Sequence, residues 1–223
     1  MIRLSKRLEC IAKYVNEGMS IVDVGCDHAL LDIYLVQMKK DIKVIASDIN
    51  ENALENAKKN IKKYHFEGKI KTCLSKGLEE IDTSNLDTII ISGMGAHTMV
   101  GVLYHDISKL KGIDTLILQS NNDLDFLRER VVKLGYYIEN EVLVKDSGII
   151  YTVIVFMKGR KRYSRKELYF GPLLLKKKDS LFIEKCEVEL KKLEMFYPMI
   201  PKNRLHHRMV TRWKINNIKK ELM

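Results

Sequence analysis

The sequence predicts an α/β domain with a mostly parallel sheet, followed by a helical C-terminal segment. Three observations support this prediction. Short apolar runs alternate with helical stretches over residues 20–134, two strand-like stretches then follow with no helix between them, and the last quarter of the chain is basic with helical spacing. Strands that alternate with helices form right-handed βαβ units, so their strands are expected to lie parallel in one sheet.

The predicted strands are nearly continuous apolar runs, as expected for strands that are buried on both faces of a sheet. They cover residues 20–26, 43–49, 70–75, 86–94 and 114–120. Helical spacing predicts helices over 28–38, 50–64, 96–107 and 123–134, whereas the link around 77–81 is too short to assign. An amphipathic segment precedes the first strand and carries Leu4, Leu8, Ile11, Ala12 and Val15.

Residues 136–158 contain two strand-like stretches around Asp146-Ser147-Gly148, which predicts an antiparallel hairpin. Past residue 160 the pattern predicts helices over 168–197 and 203–222, separated by a segment that contains Pro198 and Pro201. These two helices are expected to form an antiparallel hairpin. The predicted organisation is therefore a catalytic domain over residues 1–159 and a basic helical tail over residues 160–223.

The formal net charge of +10 is confined to that tail. Residues 1–159 contain 21 Lys and Arg against 22 Asp and Glu, whereas residues 160–223 contain 18 against 7. A neutral body with a cationic tail indicates a polyanionic partner, which in the cytoplasm usually means nucleic acid. The alternative is a solvated helical surface that is rich in lysine.

Composition argues against several classes of protein. No apolar run approaches the roughly 18 residues of a membrane span, and the first ten residues lack the apolar core of a signal peptide. The cysteines Cys10, Cys26, Cys73 and Cys186 are scattered, which favours reduced thiols over a disulfide framework or a zinc site. We therefore expect a cytoplasmic protein with no metal and no membrane association. The oligomeric state has no signal in the sequence, and a monomer is our expectation.

The first strand ends at Gly25, where the chain turns into a helix and the backbone can approach a ligand closely. The pyrophosphate fingerprint G-x-G-x-x-G is absent, because Gly25 is followed by Cys, Asp, His, Ala and Leu. This disfavours dinucleotide cofactors. S-adenosylmethionine has no phosphate and carries an ammonium and a sulfonium group, so the acidic Asp23 and Asp27 suit it better.

Other polar residues and glycines end the later strands. Asp48 ends the second strand, where a carboxylate can accept both hydroxyls of a ribose; the alternative is an acid at the start of the next helix. Gly93, Met94 and Gly95 end the fourth strand and open a crevice at the sheet edge. Gln119 and Asn121 follow at the end of the fifth strand, where we expect the acceptor base.

With these residues the sequence resembles the bacterial tRNA (adenine(22)-N1)-methyltransferase family nearly from end to end. The matching segments are LSKRL (4–8), DVGCDHALL (23–31), ISGMGA (91–96), LILQSN (116–121), LRERVVKLGY (127–136) and FGPLLL (170–175). The resemblance implies a Rossmann-like class I methyltransferase domain and a helical coiled-coil C-terminal domain. It also implies S-adenosylmethionine as cofactor and methylation of a tRNA adenosine in the D-arm region. The chain departs from the family pattern at Lys76, Ser120 and Leu30, where the family commonly has Asp, Pro and Tyr.

The resemblance and the residue pattern together give the expected site. The expected cofactor-binding residues are Asp23, Gly25, Asp27, His28, Asp48, Ile49, Gly77, Leu78, Gly93, Met94 and Gly95. The expected substrate-binding residues are Arg7, His28, Gln119, Asn121, Lys176, Lys177, Lys178, Arg204, Arg208 and Arg212. Asp27 is the expected catalytic carboxylate, because it can accept a hydrogen bond from N6 as the adenine ring becomes cationic.

Several alternatives stay open. Asp27 can instead be a cofactor ligand only, and His28 can be a structural residue at the start of a helix. The protein can act on another RNA or on a protein, or it can be a non-catalytic RNA-binding relative, a reading that only Lys76 encourages. A nicotinamide-dependent oxidoreductase is disfavoured by the missing glycines and by the terminal hairpin.

Overall fold

The computed structural model describes residues 2–223 and contains one seven-stranded sheet in the order β3-β2-β1-β4-β5-β7-β6. The strands are β1 Ser20–Val24, β2 Lys43–Asp48, β3 Ile70–Leu74, β4 Thr88–Met94, β5 Thr115–Ser120, β6 Tyr136–Asp146 and β7 Ile149–Lys158. The first five strands are parallel, and β7 is antiparallel to both β5 and β6. The predicted parallel sheet with a terminal antiparallel hairpin is confirmed.

Helices cover both faces of the sheet. They are α1 Lys6–Ala12, α2 Leu30–Met38, α3 Glu51–Lys63, α4 Ala96–His105, α5 Leu124–Lys133, α6 Arg165–Phe170, α7 Pro172–Lys177, α8 Ser180–Phe196 and α9 Leu205–Leu222. Short 3-10 helices follow α4 at Ile107–Leu110 and α8 at Tyr197–Met199. The unassigned link around 77–81 contains turns, so β3 and β4 are joined without a helix. Four helices, α2 to α5, therefore follow the five parallel strands, in agreement with the four helices predicted for this part of the chain.

The prediction of one helix over 168–197 is wrong, because the chain breaks it twice. Gly171 has φ +96°, in the region that favours glycine, and Pro172 occupies the first turn of α7, where its missing N–H costs nothing. Lys178 then adopts φ +44°, and the Asp179 carboxylate accepts a hydrogen bond of 3.0 Å from the Phe182 N–H to begin α8. Both breaks carry residues typical of helix ends, which the apolar spacing of the segment had obscured.

The apolar core lies in two layers, one on each face of the sheet. One layer joins α1, α2 and α3 to the sheet through residues such as Ile11, Ile33 and Leu54. The other joins α4 and α5 through residues such as Met99 and Leu127. A sheet with helices on both faces exposes its strand ends as the place where polar residues can gather without disturbing the core.

A third, smaller apolar cluster joins the C-terminal helices to the sheet. Leu143 of β6 packs with Phe170, Leu174, Phe182 and Ile218 from α6, α7, α8 and α9. The tail predicted over 160–223 is therefore docked on the body of the protein along α6 and α7. Only the hairpin of α8 and α9 extends from this base, and its outer end presents exposed apolar residues, which are Met195, Phe196, Met199, Leu205 and Met209.

Candidate active site at the strand ends

A cavity of about 760 Å³ opens at the carboxyl ends of β1, β2 and β4. In an open α/β sheet this edge, where the strand order reverses between β1 and β4, is the usual position of a ligand. Of the expected site residues, the cavity wall contains Arg7, Asp23, Gly25, Asp27, His28, Asp48, Ile49, Gly77, Gly93 and Met94. The structure therefore brings together residues that are up to 87 positions apart in the chain.

The loop after β1 is held tightly at the cavity edge. Gly25 has φ +81°, and the Gly25 and Cys26 N–H groups both donate to the Ser47 carbonyl, at 2.8 and 2.9 Å. Asp27 and Ala29 follow with φ +51° and +53°, which is uncommon for residues with a side chain. Asn60 of α3 fixes the far end of the loop through a 3.0 Å hydrogen bond to the His28 carbonyl. Strained residues that are held in this way are concentrated at ligand sites.

A side chain at Gly25 would enter the cavity. A Cβ atom built there would collide with the terminal methyl group of Met94, the facing residue of the wall. Because that methyl group is the end of a flexible side chain, the fold can absorb the contact, but the cavity between the two residues would shrink.

We therefore expect Gly25→Ala to lower the affinity for S-adenosylmethionine about tenfold or more, or about 1.4 kcal/mol. Gly18→Ala is the matched control, because Gly18 also has positive φ, +76°, but nothing lies within 4 Å of its built Cβ. Both variants should lose similar stability from the left-handed backbone, about 1–2 kcal/mol. Isothermal titration with the cofactor and thermal melting separate the two effects, and equal cofactor affinities in both variants would contradict the prediction.

Asp48 at the end of β2 is fixed by two backbone donors. One carboxylate oxygen accepts from the Asp27 N–H at 3.2 Å and the other from the Asn50 N–H at 2.9 Å. The cap of α3 is Asn50, whose side chain accepts from the Asn52 N–H at 2.9 Å, so Asp48 is free of the helix-capping role considered as its alternative. A carboxylate held at this strand end can accept the two hydroxyl groups of a ribose.

Beneath the cavity lie two buried carboxyl groups. Asp23 is 4% exposed and Asp32 of α2 is fully buried; one oxygen of Asp23 and both of Asp32 have no hydrogen-bond partner among the described residues. Burial raises the pKa of Asp23 to about 7, with Arg7 opposing the rise and Asp48 adding to it. Burial, reinforced by Asp23, raises the pKa of Asp32 well above its usual range. A cationic ligand group beside Asp23 would offset this cost of burial, because an unpaired buried charge is expensive.

Asp32 was missed by sequence reasoning. It stands in the apolar run Leu-Leu-Asp-Ile-Tyr-Leu-Val of α2, where an acid interrupts residues that all face or flank the core. That interruption was the available signal, since buried acids are rare unless they have a partner or a function.

Asp27 and His28 lie at the cavity mouth. Their side chains are 72% and 49% exposed, and the His28 Nε2 atom is 3.7 Å from the Asp27 carboxylate. Neither side chain is held by the core, so both are accessible to a substrate that enters from solvent. Ile49 is also exposed and offers an apolar surface next to Asp48.

Some of the remaining expected cofactor residues line the cavity, and others lie in the structure behind it. Gly77 lines the cavity with φ +65°, whereas the Leu78 side chain is fully buried in the core and its N–H donates to Asp106 at 3.0 Å. Gly95 is the N-cap of α4 and lies against Asn122. Lys76 also lines the cavity; its side chain is 71% exposed and its amine is 3.8 Å from the Glu79 carboxylate.

On the acceptor side, Arg7 and Gln119 form a hydrogen-bonded network at the ends of β4 and β5. Arg7 donates to the Gln119 side-chain oxygen at 2.6 Å, and the same oxygen accepts from the Gly93 N–H at 3.1 Å. Gln119 in turn donates to Asn121 at 3.1 Å, and Asn121 donates to the Gly93 carbonyl at 2.8 Å. Gln119 is fully buried, whereas Asn121 is exposed, so the network presents Asn121 and Arg7 to the cavity edge.

The six expected cations of the tail lie apart from this cavity. Lys176, Arg204 and Arg212 are exposed. Lys177 pairs with Asp179 at 2.9 Å, Lys178 pairs with Glu221 at 2.8 Å, and Arg208 donates to the Ile200 carbonyl at 2.7 Å. The structure thus leaves three of the six without an intramolecular ion pair or hydrogen bond among the described residues.

Two further searches cover residues 2–223. They contain no helix that is both long and apolar enough to cross a membrane. Within the same residues, no group of three or more His, Cys, Asp or Glu side chains is arranged to hold a metal ion.

Comparison with known proteins agrees with the geometry of the site. The family model described as tRNA (adenine(22)-N(1))-methyltransferase matches residues 21–220. The Bacillus subtilis protein of that name is 32% identical over 205 residues, which cover 89% of this chain and 86% of the relative. A Streptococcus pneumoniae structure, described as a putative tRNA (m1A22) methyltransferase in complex with S-adenosyl-L-methionine, is 33% identical with TM-score 0.90 over 99% of this chain and 100% of the other.

A structure from M. capricolum, in complex with S-adenosyl-homocysteine, is 32% identical with TM-score 0.84 and covers 98% of this chain and 97% of the other. Its bound ligand is described as the natural cofactor product. The agreement extends over the C-terminal helices as well as the sheet, so both the fold and the arrangement of its two parts are shared.

Proposed function

The chain belongs to the tRNA (adenine(22)-N(1))-methyltransferase family, and from this premise we propose how its own residues carry out the reaction. The activity is the transfer of a methyl group from S-adenosylmethionine to N1 of adenosine 22 in tRNA. S-adenosylmethionine supplies an electrophilic methyl group on a sulfonium sulfur. Adenine N1 carries a lone pair and no proton, so it attacks that carbon: the N–C bond forms, the C–S bond breaks, and the positive charge passes to the adenine ring.

The acidic floor of the cavity is the observation that best supports this assignment of the site. Asp23 has an unpartnered buried oxygen and a raised pKa, and a cationic ammonium group is the ligand that would relieve both. Asp48, already fixed by two backbone N–H groups, is our proposed acceptor for the ribose hydroxyls. Gly25, where a built Cβ atom would meet the Met94 methyl group across the cavity, is proposed to let the cofactor approach the backbone.

Asp27 is our proposed catalytic residue. It is exposed at the cavity mouth, one residue from His28, and no other side chain neutralises it at hydrogen-bond distance among the described residues. As N1 gains the methyl group, N6 becomes a stronger donor, and a carboxylate that accepts its proton in a hydrogen bond stabilises the cationic ring. The same carboxylate can take the N6 proton afterwards. We propose that His28 contacts the acceptor base beside it.

The network of Arg7, Gln119, Asn121 and Gly93 is our proposed acceptor edge. Gln119 is buried, so we assign it a positioning role: it orients Arg7 and the Gly93 backbone by hydrogen bonds and does not itself meet the base. Arg7 and Asn121 are the members that can contact RNA. N1 is on the Watson–Crick edge, so a paired target must leave its partner before it reaches this edge.

Residues 160–223 are proposed to bind the body of the tRNA. The excess of 18 cations over 7 acids in this segment suits a polyanion, and the exposed Lys176, Arg204 and Arg212 are the expected substrate-binding residues without an internal partner. Because the substrate is tRNA, we place the activity in the cytoplasm. The expectation of a monomer stays a prediction.

The function is tested by methyl transfer from labelled S-adenosylmethionine to unmodified tRNA transcripts, followed by digestion to nucleosides. We expect label in 1-methyladenosine with wild-type tRNA, and none when adenosine 22 is replaced by another nucleoside. Label in a different nucleoside, or no label in any tRNA despite measurable cofactor binding, would contradict the assignment of atom or acceptor.

For the tail we expect Arg204→Ala and Arg212→Ala each to weaken tRNA binding and to reduce the slope of log affinity against log salt by up to about 0.9, the value for one lost phosphate contact. Lys40→Ala is the control, because Lys40 is also exposed but lies at the end of α2 in the neutral part of the chain. Filter binding over a range of salt concentrations gives the slopes. Unchanged slopes for both arginine variants would indicate that the cationic tail is only a solvated surface.

A further inference from the structure

A second cavity, of about 910 Å³, lies between the sheet and α8 and takes no part in the mechanism above. We call it the side groove. Its walls are the end of β5 at 120–122, the turn and first residues of β7 at 148–152, and the inner face of α8 from Phe182 to Phe196. The groove shares one wall with the active site, since Asn121 belongs to both the groove and the acceptor edge.

Lys185 of α8 projects into the side groove. Its amine donates a 2.6 Å hydrogen bond to the Thr152 hydroxyl, and no carboxylate of the described residues lies within 4.0 Å of it. Burial, and then the Arg128 guanidinium, lower the pKa of Lys185 to about 8, while Glu189 opposes this. The amine is therefore still mostly protonated at pH 7. Burial has removed water from around it, and no carboxylate has taken the place of that water. Such a cation has unused capacity for an anionic ligand.

The acids around Lys185 are already engaged. Glu184 pairs with Lys145 at 2.6 Å, Asp125 pairs with Lys214 at 3.2 Å, and Glu189 accepts from the Tyr169 hydroxyl at 2.6 Å. None of these acids is the direct partner of Lys185. The Lys185 amine is therefore a cation of the groove wall with no carboxylate partner among the described residues.

The position of Lys185 relative to the active site follows from the strand register. Its partner Thr152 is opposite Ser120 in the β5–β7 pairing, and Asn121 comes next in the chain. The amine therefore lies in the groove beside the end of β5, where Asn121 begins the acceptor edge. An RNA chain whose adenosine occupies the active site would bring an adjoining phosphate into this region.

The groove also offers surfaces on which a base can stack. Ile149, Val188 and Phe196 line it and are exposed, and Tyr151 lies between the groove and Arg7, with the guanidinium 5.5 Å from its ring centre. Stacking of bases on apolar and aromatic side chains, together with a cation at the backbone, is the usual way in which proteins hold single-stranded RNA.

We propose that the side groove binds the tRNA nucleotide next to the methylated adenosine, with Lys185 as the ion-pair partner of the phosphate between the two. The proposal rests on the proposed function, because it names the part of the substrate that this chain holds beside the reacting base. It makes Lys185 a substrate-positioning residue that acts through the RNA backbone.

The first test compares Lys185→Met with Lys191→Met. Lys191 is an exposed lysine of the same helix, but it lies outside the groove. Lys191→Met is therefore the same change of residue at a position where no contact with the phosphate is proposed. We expect Lys185→Met to raise KM for tRNA about tenfold and to lower the salt slope by about 0.7–0.9, while Lys191→Met changes neither. Cofactor affinity and kcat at saturating tRNA should stay near wild type. Equal KM values and slopes for the two variants would overturn the proposal.

A second test changes the RNA, so its measurement on the wild-type protein does not depend on how a variant folds. tRNAs are assembled with a neutral methylphosphonate at either phosphate that flanks adenosine 22. We expect one of the two to raise KM for wild type about as much as Lys185→Met does, and to have no further effect on Lys185→Met, because the two changes remove the same ion pair. Effects that simply add, or no effect at either phosphate, would overturn the proposal, whereas failure of unmodified tRNA to accept methyl groups would overturn the function itself.

Discussion

Arg128→Met is expected to lower the free energy of unfolding by about 3–5 kcal/mol, because it leaves Glu141 as a buried charge without its partner. The two side chains are 1% and 0% exposed and are joined at 2.6 Å. Arg128 also donates to the Leu168 and Tyr169 carbonyls, at 3.0 and 3.1 Å. The ion pair therefore connects α5 and β6 of the sheet to the start of the C-terminal helices.

Chemical denaturation of the cofactor-free protein measures this loss. Lys133→Met is the control, since Lys133 pairs with Glu129 on the exposed face of the same helix and such pairs contribute at most about 1 kcal/mol. The double variant Arg128→Met with Glu141→Leu should be more stable than Arg128→Met alone, because it removes the orphaned charge. A single variant that unfolds within about 1 kcal/mol of wild type would mean that Glu141 is neutral or hydrated in the folded state.

The Arg128–Glu141 ion pair also explains why the helix break at Gly171 and Pro172 was not predicted from the sequence. A Cβ atom built on Gly171 would lie 2.6 Å from one Glu141 oxygen and 2.9 Å from an Arg128 nitrogen, so glycine is required by the ion pair as well as by its φ. In the sequence, Arg128 and Glu141 look like ordinary polar positions of an amphipathic helix and a strand. Their pairing depends on how α5 and β6 cross, which spacing along one chain does not encode.

The sheet itself could be predicted because each buried strand is a separate apolar run, and the missing helix before β6 marks the hairpin. The cofactor edge could be predicted because the residues that end parallel strands, such as Gly25, Asp48 and Gly93, gather at one edge whatever the details of the links. Contacts between residues far apart in the chain could not be predicted in this way. Arg7 and Gln119 are 112 positions apart, and their hydrogen bond depends on where α1 docks.

The expected tail illustrates the same limit. The apolar spacing over 168–197 predicts one continuous helix. In the structure the chain leaves the helical conformation at Gly171, α7 begins at Pro172, and Asp179 caps the start of α8. The breaks allow α6 and α7 to fold back against β6 before α8 begins. As a result α8 passes beside the end of β5, which brings Lys185 to Thr152 and creates the side groove.

Asp27→Asn is expected to slow methyl transfer about 100-fold or more, the lower range for loss of a positioned carboxylate in acid–base or charge-stabilising catalysis. Asparagine keeps the size of the side chain and tolerates the left-handed backbone at φ +51°, so the loop after β1 should keep its shape. It lacks the negative charge that stabilises the cationic adenine ring. The rate should be measured under single-turnover conditions, so that product release does not hide the chemical step.

Asp41→Asn is the matched control, because Asp41 is also exposed and has φ +56° but lies outside the cavity wall. The affinity for S-adenosylmethionine separates the two roles of Asp27. A slow single turnover with unchanged affinity is the result expected of a catalytic carboxylate. A normal rate at saturating cofactor with weakened affinity would make Asp27 a cofactor ligand only.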